Sequence, residues 1–355
     1  MQQFFRWPRS FFRFGSLWGV ILLGASIANA ASWSTWTIRP EPVFKGDNDI
    51  AGDPTVIRED SLYRMFYTCP VDLDLSVWTY LTGGLMFHTA LCQATSRDGI
   101  SWESAPAISN NDVKGLALRG TQGQWDENME VSFMLKRGKD YLLFYSGYRD
   151  EGNPQRGFPA SLSVARSRDG QRFQRVSDPI LNPTKGGYDS DAIYSPTIIQ
   201  DGESFLMVYV GHCYNNCDHE PGATLLAATS PDALTWTKLR MPVLQRSSRI
   251  SWMSESVAEP CLVKGPDGAY YLFITGVQGD RRTIGVARST SVTGPWEINP
   301  EPIVTSAPDT FYDCSALAPD VHVEGGAVRM WFHGFQCPER PRIGYAESRW
   351  PLYTE

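Results

Sequence analysis

The stretch ATSRDGISW, residues 94–102, recurs along this chain of 355 residues and decides its fold. Asp98 and Gly99 are the pair that a two-residue hairpin turn favours, here between a strand of small side chains and one that opens on an aromatic ring. Three further full copies follow, and a truncated one lies at residues 346–350. The rings that close the full copies, at intervals of 71, 63 and 60 residues, are Trp102, Phe173, Trp236 and Trp296. Such a period predicts a repeat architecture.

Each repeat has the pattern of four strands: a short strand opening near a proline, an apolar aromatic strand, a strand of small residues and an outer strand. Five such units predict an all-β fold, a five-bladed β-propeller of four-stranded blades. The fifth unit lacks an outer strand, which residues 33–38 can supply, closing the ring. A β-sandwich and a parallel β-helix are the alternatives, but neither predicts a four-strand period of this length.

The N-terminal 30 residues have the pattern of a secretory signal peptide. Arg6, Arg9 and Arg13 precede an apolar run at residues 17–27, and residues 28–30 read Ala-Asn-Ala, a cleavage site of the small-x-small type. An uncleaved membrane anchor is the alternative, but the run is short for a bilayer span. We therefore expect an exported protein, periplasmic or secreted, in which residues 31–355 form a single propeller domain.

The net charge of −7 limits the partners. An acidic surface argues against nucleic acid and against anionic membranes, and it fits a neutral substrate. The sequence assigns no oligomeric state. All seven cysteines follow residue 30, and in an exported protein disulfides are expected. The propeller pattern pairs Cys69 with Cys92, Cys213 with Cys217 and Cys314 with Cys337, and leaves Cys261 free. A metal site at His212, Cys213, Cys217, Asp218 and His219 is the alternative for the second pair, but its spacing matches no common zinc pattern.

Strand direction alternates within a blade, so the first strands of all blades begin on one face, around the axis. Aligning them on their prolines places one residue of each blade there: Asp53, Glu130, Ser195, Glu259 and Ala318. Three of these are carboxylic acids, which repel one another and whose pKa values rise on burial. One ionised base and one protonated acid are what glycoside hydrolysis requires.

At these residues the chain resembles a known superfamily. The Asp53-Pro54 opening, the Glu259-Pro260 pair and the turns of residues 94–102 look like those of the five-bladed propeller glycosidases, which include family 43 arabinanases and β-xylosidases, invertases and mannoside phosphorylases. The resemblance implies Asp53 as the catalytic base, Glu259 as the general acid, and Glu130 or Asp191 as a third acid that positions substrate and tunes the acid. It requires no cofactor or catalytic metal, although some relatives hold a structural cation such as Ca²⁺ at the axis.

Further residues are predicted to contact the sugar. His212 and His333 follow the second strands of their blades at similar places, and aromatic rings near the axis can stack on a sugar face. The predicted substrate-binding set is Asp191, Ser195, His212, His333, Trp252 and Tyr194. These observations favour an exported, inverting glycoside hydrolase acting on an oligo- or polysaccharide.

Two other functions stay open at this point. A glycoside phosphorylase needs a cationic cluster for phosphate, and five arginines lie in or beside the loops of the same face: Arg149, Arg281, Arg282, Arg340 and Arg342. A non-catalytic propeller that binds carbohydrate, for example in exopolysaccharide handling, is favoured by Ser195, because the third blade then presents no acid.

Overall fold

The structure is a computed structural model, and it describes residues 32–47, 49–71, 88–107, 113–149, 159–176, 178–214, 217–218, 220–336 and 341–354. The predicted signal peptide lies outside these ranges. Within them the fold is β, as predicted, and the one helical element is a single 3₁₀ turn, Ser251–Met253. The same ranges contain no helix with the length and apolar character to traverse a bilayer.

Two short strands come first, β1 (Ser32–Trp33) and β2 (Thr37–Ile38), and the later strands are described as five antiparallel groups. Groups 4 and 5 belong to one 8-stranded sheet, because one parallel pair, Arg282 with Ser315, joins them. Group 1 contains β3 (Gly52–Glu59), β4 (Leu62–Val71), β5 (His88–Ser96), β6 (Glu103–Ser104) and β7 (Leu116–Leu118). Group 2 contains β8 (Asn128–Arg137), β9 (Asp140–Tyr148), β10 (Ala160–Ser167) and β11 (Gln174–Arg175). Group 3 contains β12 (Ala192–Asp201), β13 (Ser204–Cys213), β14 (Gly222–Ser230) and β15 (Thr237–Lys238). Group 4 contains β16 (Ser256–Lys264), β17 (Tyr270–Gln278), β18 (Arg281–Ser289) and β19 (Glu297–Ile298).

Group 5 contains β20 (Ser315–Glu324), β21 (Ala327–Phe335) and β22 (Arg342–Arg349). Its outer strand comes from the N-terminal part of the chain, since Thr37 and Ile38 of β2 pair with Glu347 and Ala346 of β22. β1 pairs instead with β23 (Tyr353–Thr354). The two ends of the described chain are therefore joined at the fifth group.

The described part of the core contains six apolar clusters, and each lies between two neighbouring groups. Tyr67 of group 1, for example, shares a cluster with Trp331 of group 5, and Phe66 shares one with Tyr145 of group 2. The other clusters join groups 2 and 3, 3 and 4, and 4 and 5. Because both faces of each group are buried, the second strands read as nearly continuous apolar runs rather than alternating ones.

The recurring turn is longer than predicted. β5 ends at Ser96 and β6 begins at Glu103, so six residues connect them instead of two. The carboxylate of Asp98 explains this, because it accepts hydrogen bonds from the backbone N–H groups of Ile100 (2.8 Å) and Ser101 (2.7 Å) and so organises a wider loop. These backbone donors hold the pKa of Asp98 well below its usual range.

The disulfide predictions have separate outcomes. Cys69–Cys92 and Cys213–Cys217 are bonded, and Cys261 is free and buried, as predicted. The metal alternative is thereby excluded for Cys213 and Cys217. Cys314 is disulfide-bonded, and its predicted partner, Cys337, lies outside the described residues.

Neighbouring first strands are joined by hydrogen bonds from backbone N–H groups to side chains. Met134 donates to Thr55 Oγ1 (3.2 Å) and Leu262 donates to Thr197 Oγ1 (3.1 Å). Between group 5 and group 1 the acceptor is a carboxylate instead of a hydroxyl group, since the N–H of Val56 donates to the buried side chain of Asp320 (3.0 Å). The last group is therefore tied to the first through an ionisable side chain.

His322 completes this ionisable contact. Its Nε2 donates to the carbonyl of Val56 (2.8 Å) and lies 3.3 Å from Asp320 Oδ2. Burial alone would lower the pKa of His322, but the hydrogen bond to Asp320 and the negative charges of Asp320 and Glu324 outweigh it, so the pKa lies above its ordinary value. The protonated imidazole therefore stabilises the contact between β3 and β20.

We expect His322→Gln to lower the free energy of unfolding by about 2 kcal/mol at pH 6, because a hydrogen bond to a charged group is lost. A raised folded-state pKa gives stability that is complete below the ordinary histidine pKa and is lost as pH rises through the folded value. The difference between wild type and variant, measured by urea unfolding, should therefore shrink from pH 6 to pH 8.5. A difference that is constant with pH would show that His322 does not titrate in this contact.

Candidate active site

The first strands all carry the same irregularity. In each one, two residues stand opposite a single residue of the second strand, which is a β-bulge. The first bulge residue has a positive φ between 44° and 52° in every group: Asp53, Val131, Ser195, Glu259 and Ala318. The bulges surround a narrow central cavity of about 20 Å³, room for about one water molecule.

The alignment of Glu130 with the other axial residues is wrong by one position. Val131 is the bulge residue of group 2, and Glu130 pairs with Ser146 just before the bulge, where group 1 has Gly52. Group 2 has Ser132 where the other bulges have proline, so the marker that aligned the other four is missing. Glu130 still lies near the axis, because the charges of Asp53 and Glu259 both act on it.

Asp53 is held by His333 of the second strand of group 5. Nδ1 of His333 lies 3.1 Å from Asp53 Oδ1, and both side chains are mostly buried, with 14% and 11% of their surface exposed. Because an ionised carboxylate can only accept hydrogen bonds, Nδ1 is the donor. Gly52 makes room for the ring, since a Cβ atom there would lie 2.9 Å from His333 Nδ1.

Glu130 is buried against an aromatic hydroxyl. Tyr148, the last residue of β9, donates its hydroxyl hydrogen to Glu130 Oε1. Burial, reinforced by the negative charge of Asp53, raises the pKa of Glu130 to about 7, against the lowering effect of the Tyr148 hydrogen bond. Glu130 is therefore a carboxylic acid that exchanges its proton near neutral pH.

The surroundings of Glu259 favour its protonated form. Burial and then the charge of Asp53 raise its pKa, and Arg282 is the foremost group that opposes them. Its Oε2 accepts the backbone N–H of Ala318 (3.1 Å). That N–H also donates to the hydroxyl of Thr275 (3.0 Å). Arg282 is exposed at the start of β18, so its charge reaches Glu259 from the solvent side.

The predicted sugar contacts of group 3 lie beside Glu130. The ring of Tyr194 is 6.4 Å from that of Tyr148 and 5.4 Å from that of His212. Asp191 donates its N–H to the carbonyl of His212 (3.0 Å), and its carboxylate accepts the N–H of Tyr214. The structure thus brings Asp191, Tyr194 and His212 together, and it adds Tyr148 and Tyr214, which are not in the predicted substrate-binding set.

Two predicted contacts have different positions. Trp252 is 3% exposed, packs against Gly276 and Gly285, and donates its indole N–H to the carbonyl of Asn299 (3.1 Å). It is a core residue and not a stacking surface. Ser195 is 4% exposed and lines the central cavity. Its N–H donates to Ser146 Oγ.

His212 and His333 are not at equivalent places. His333 pairs with Leu317, directly before the bulge of its group, whereas His212 pairs with Ala192, two residues further from the bulge. His333 therefore touches Asp53, while His212 lies among the rings. Among the described residues no group of three or more His, Cys, Asp or Glu side chains is placed to hold a metal ion, and we derive no step through a cation.

Comparison with known proteins supports the fold. No protein-family model matches the sequence. Two curated Mycobacterium tuberculosis proteins, the uncharacterized proteins MT1551 and Rv1502, are each 24% identical over 160 residues, 45% of this chain. The match spans about half the length of these curated relatives, 50%.

Solved structures match over most of the chain. A complex of BT0996 with RGII has a TM-score of 0.69 and 16% identity, covering 89% of this protein and 91% of that one. A family 117 glycoside hydrolase, Zg3597 of Zobellia galactanivorans, has a TM-score of 0.64 and 17% identity over 89% and 91%. A thermostable family 43 glycoside hydrolase has a TM-score of 0.61 and 16% identity over 84% and 89%. The resemblance in fold to the five-bladed propeller glycosidases is confirmed.

Proposed function

We propose that this protein is an exported glycoside hydrolase that cleaves an oligo- or polysaccharide with inversion. One observation carries the proposal: Asp53 and Glu259 head two of the five bulges around one cavity, and the charge of Asp53 raises the pKa of Glu259. The charge of Asp53 thus favours the protonated form of Glu259, and glycoside hydrolysis needs one protonated and one ionised carboxyl group.

In the proposed reaction Asp53 is the base. The hydrogen bond from His333 fixes its carboxylate, which takes a proton from the attacking water. Glu259, protonated because of its burial and the nearby charge, gives its proton to the leaving oxygen. Glu130 would position the substrate and add negative potential that keeps Glu259 protonated.

We take the five strand groups as the blades of a five-bladed propeller, whose ring is completed where β2 joins β22. Export is supported by the bonds Cys69–Cys92 and Cys213–Cys217, which persist in oxidising compartments.

The direct test is hydrolysis of a panel of 4-nitrophenyl glycosides and neutral oligosaccharides. Asp53→Asn and Glu259→Gln should each lower kcat about 10²- to 10⁴-fold, because general acid–base catalysis is lost. Glu255→Gln, the same change at an exposed acid four residues before Glu259, is the matched control and should keep full activity. Proton NMR should show that the sugar first released has the opposite anomeric configuration to the substrate.

Other outcomes of that test identify the alternatives. Turnover that requires inorganic phosphate would indicate a phosphorylase, which the exposed charge of Arg282 beside Glu259 favours. Glycan binding without cleavage, unchanged by Asp53→Asn, would indicate a carbohydrate-binding propeller. Retained anomeric configuration would contradict the inverting mechanism.

The pH profile tests the role of Glu259. An acid catalyst must be protonated, so activity should fall as pH rises through the pKa of Glu259, which is above its ordinary value. Arg282→Gln removes a positive charge that lowers this pKa, so the alkaline limb of kcat/KM should move to higher pH, by less than about one unit because an exposed charge is screened. Arg281→Gln, at the adjacent exposed arginine, should leave the limb in place. Equal profiles for both variants would contradict the assignment of Glu259.

The contact between His333 and Asp53 gives a further prediction. His333→Ala should lower kcat about 10- to 100-fold with a smaller change in KM, because an Asp53 carboxylate that is out of position takes a proton from water less efficiently. His333→Asn keeps an N–H near the position of Nδ1 and should recover part of that loss. Gly52→Ala leaves the imidazole present but displaces it, and should resemble His333→Ala. If His333→Asn and His333→Ala lose kcat equally, the hydrogen bond to Asp53 is not the reason.

A further inference from the structure

A row of four rings leads from the carboxylate of Glu130 to the surface. It begins at Tyr148, whose hydroxyl donates to Glu130, and continues through Tyr194 and His212 to Tyr214. Successive ring centroids are 6.4, 5.4 and 5.3 Å apart. Tyr148 is 1% exposed and Tyr214 is 39% exposed, so the row runs from the interior to solvent.

Tyr214 is an exposed ring that is held in place. Its N–H donates to the carboxylate of Asp191, and its hydroxyl hydrogen-bonds to Nδ1 of His212. It also lies within the short loop closed by the Cys213–Cys217 disulfide. A ring fixed in this way loses little conformational entropy when a ligand stacks on it. Within the described ranges, Tyr214 and Met241 are the large hydrophobic residues that are exposed.

The groups around Tyr214 suit a neutral ligand. Burial lowers the pKa of His212 to about 4, against the opposing charge of Asp191, so the imidazole is uncharged near neutral pH. The Asp191 carboxylate accepts hydrogen bonds and repels anions. A sugar has an apolar face for the phenol ring and a rim of hydroxyl groups for the polar atoms beside it. Anionic sugars such as uronic acids are disfavoured here.

We propose that Tyr214, backed by His212 and Asp191, is the stacking surface of an outer subsite for a neutral sugar residue of the substrate. The inference rests on the proposed glycosidase function, because the row of rings connects this surface to Glu130. Tyr214 is three ring-to-ring steps from Glu130, so the sugar it binds lies beyond the one whose bond is cleaved. The substrate class is therefore a neutral oligosaccharide or polysaccharide and not a single sugar with a small leaving group.

The test compares two kinds of substrate on the full protein. Tyr214→Ala should raise KM about 2- to 10-fold for neutral oligosaccharides of three to five residues, the effect of one lost stacking contact. It should leave KM unchanged for the 4-nitrophenyl glycoside of the same sugar, which does not reach the subsite. Tyr214→Phe keeps the ring face and should retain most of the affinity. Met241→Ala is the matched control, since it shortens the other exposed hydrophobic side chain and should change neither KM.

Each result separates this inference from the function on which it rests. Cleavage with equal oligosaccharide KM values for wild type and Tyr214→Ala overturns the subsite and leaves the glycosidase intact. An equal loss on both substrates also overturns it, because Tyr214 would then support the cleavage site. If no substrate is cleaved, a glycan array decides: binding of neutral oligosaccharides that Tyr214→Ala abolishes and Tyr214→Phe retains supports the subsite and overturns the hydrolase. An array without binding overturns both.

Discussion

The site depends on one backbone constraint: the first bulge residue of each first strand adopts the left-handed conformation. A positive φ is unfavourable for residues other than glycine, and most of all for a β-branched residue such as Val131. Local conformations of this kind cost about 1–3 kcal/mol each and persist only where the surroundings enforce them. Here the second strand of the preceding group does so, since Val131 donates its N–H to Thr68 and Ser195 donates to Ser146. The same contact holds Ala318, whose N–H donates to Thr275, so it occurs at three of the five bulges.

The same contact is altered where the chemistry is proposed. Thr68, Ser146 and Thr275 occupy one position of the second strand, directly before the bulge, and each accepts an N–H of the next group. In group 5 that position is His333, which contacts the carboxylate of Asp53 instead. Group 3 departs as well, since it has Val210 at that position, and a valine side chain cannot accept a hydrogen bond. The two departures precede the bulges of Asp53 and Glu259 around the ring.

The repeat made much of the fold predictable from the sequence. Its period predicted five groups of strands, and the prolines located four of the five bulge residues. Group 2 was misaligned by one residue because it has no proline at the bulge, and a step of one residue along a strand reverses the face of the side chain. His212 and His333 were equated because sequence distance from an apolar strand does not fix register. The pairing partners of each strand fix its register, and only the structure gives those partners.

The error for Trp252 has a different cause. Trp125, Trp252 and Phe311 all precede a first strand and pack where a second strand has glycine, at Gly147, Gly276 and Gly334. The recurrence of glycine at that position was visible in the sequence, but its meaning depends on knowing which ring reaches it. An aromatic side chain near the axis can either fill a space in the core or stack on a sugar. Which of the two it does depends on the residue that its ring contacts.

The bulge conformation does not require the acids that occupy two of the bulges. Val131, Ser195 and Ala318 form the same bulge with an apolar side chain, a hydroxyl group and a methyl group. The bulge itself therefore requires no acid at Asp53 or Glu259, and the N–H of Ala318 that Glu259 accepts also has Thr275 as an acceptor. Burying carboxyl groups near one another is unfavourable for their ionised forms, and burial and the charge of Asp53 accordingly raise the pKa values of Glu130 and Glu259. A ring selected only for stability would not retain two of them at the bulges with Glu130 close by. Their retention is explained if the charge of Asp53 and the protons of its neighbours are used together on a ligand.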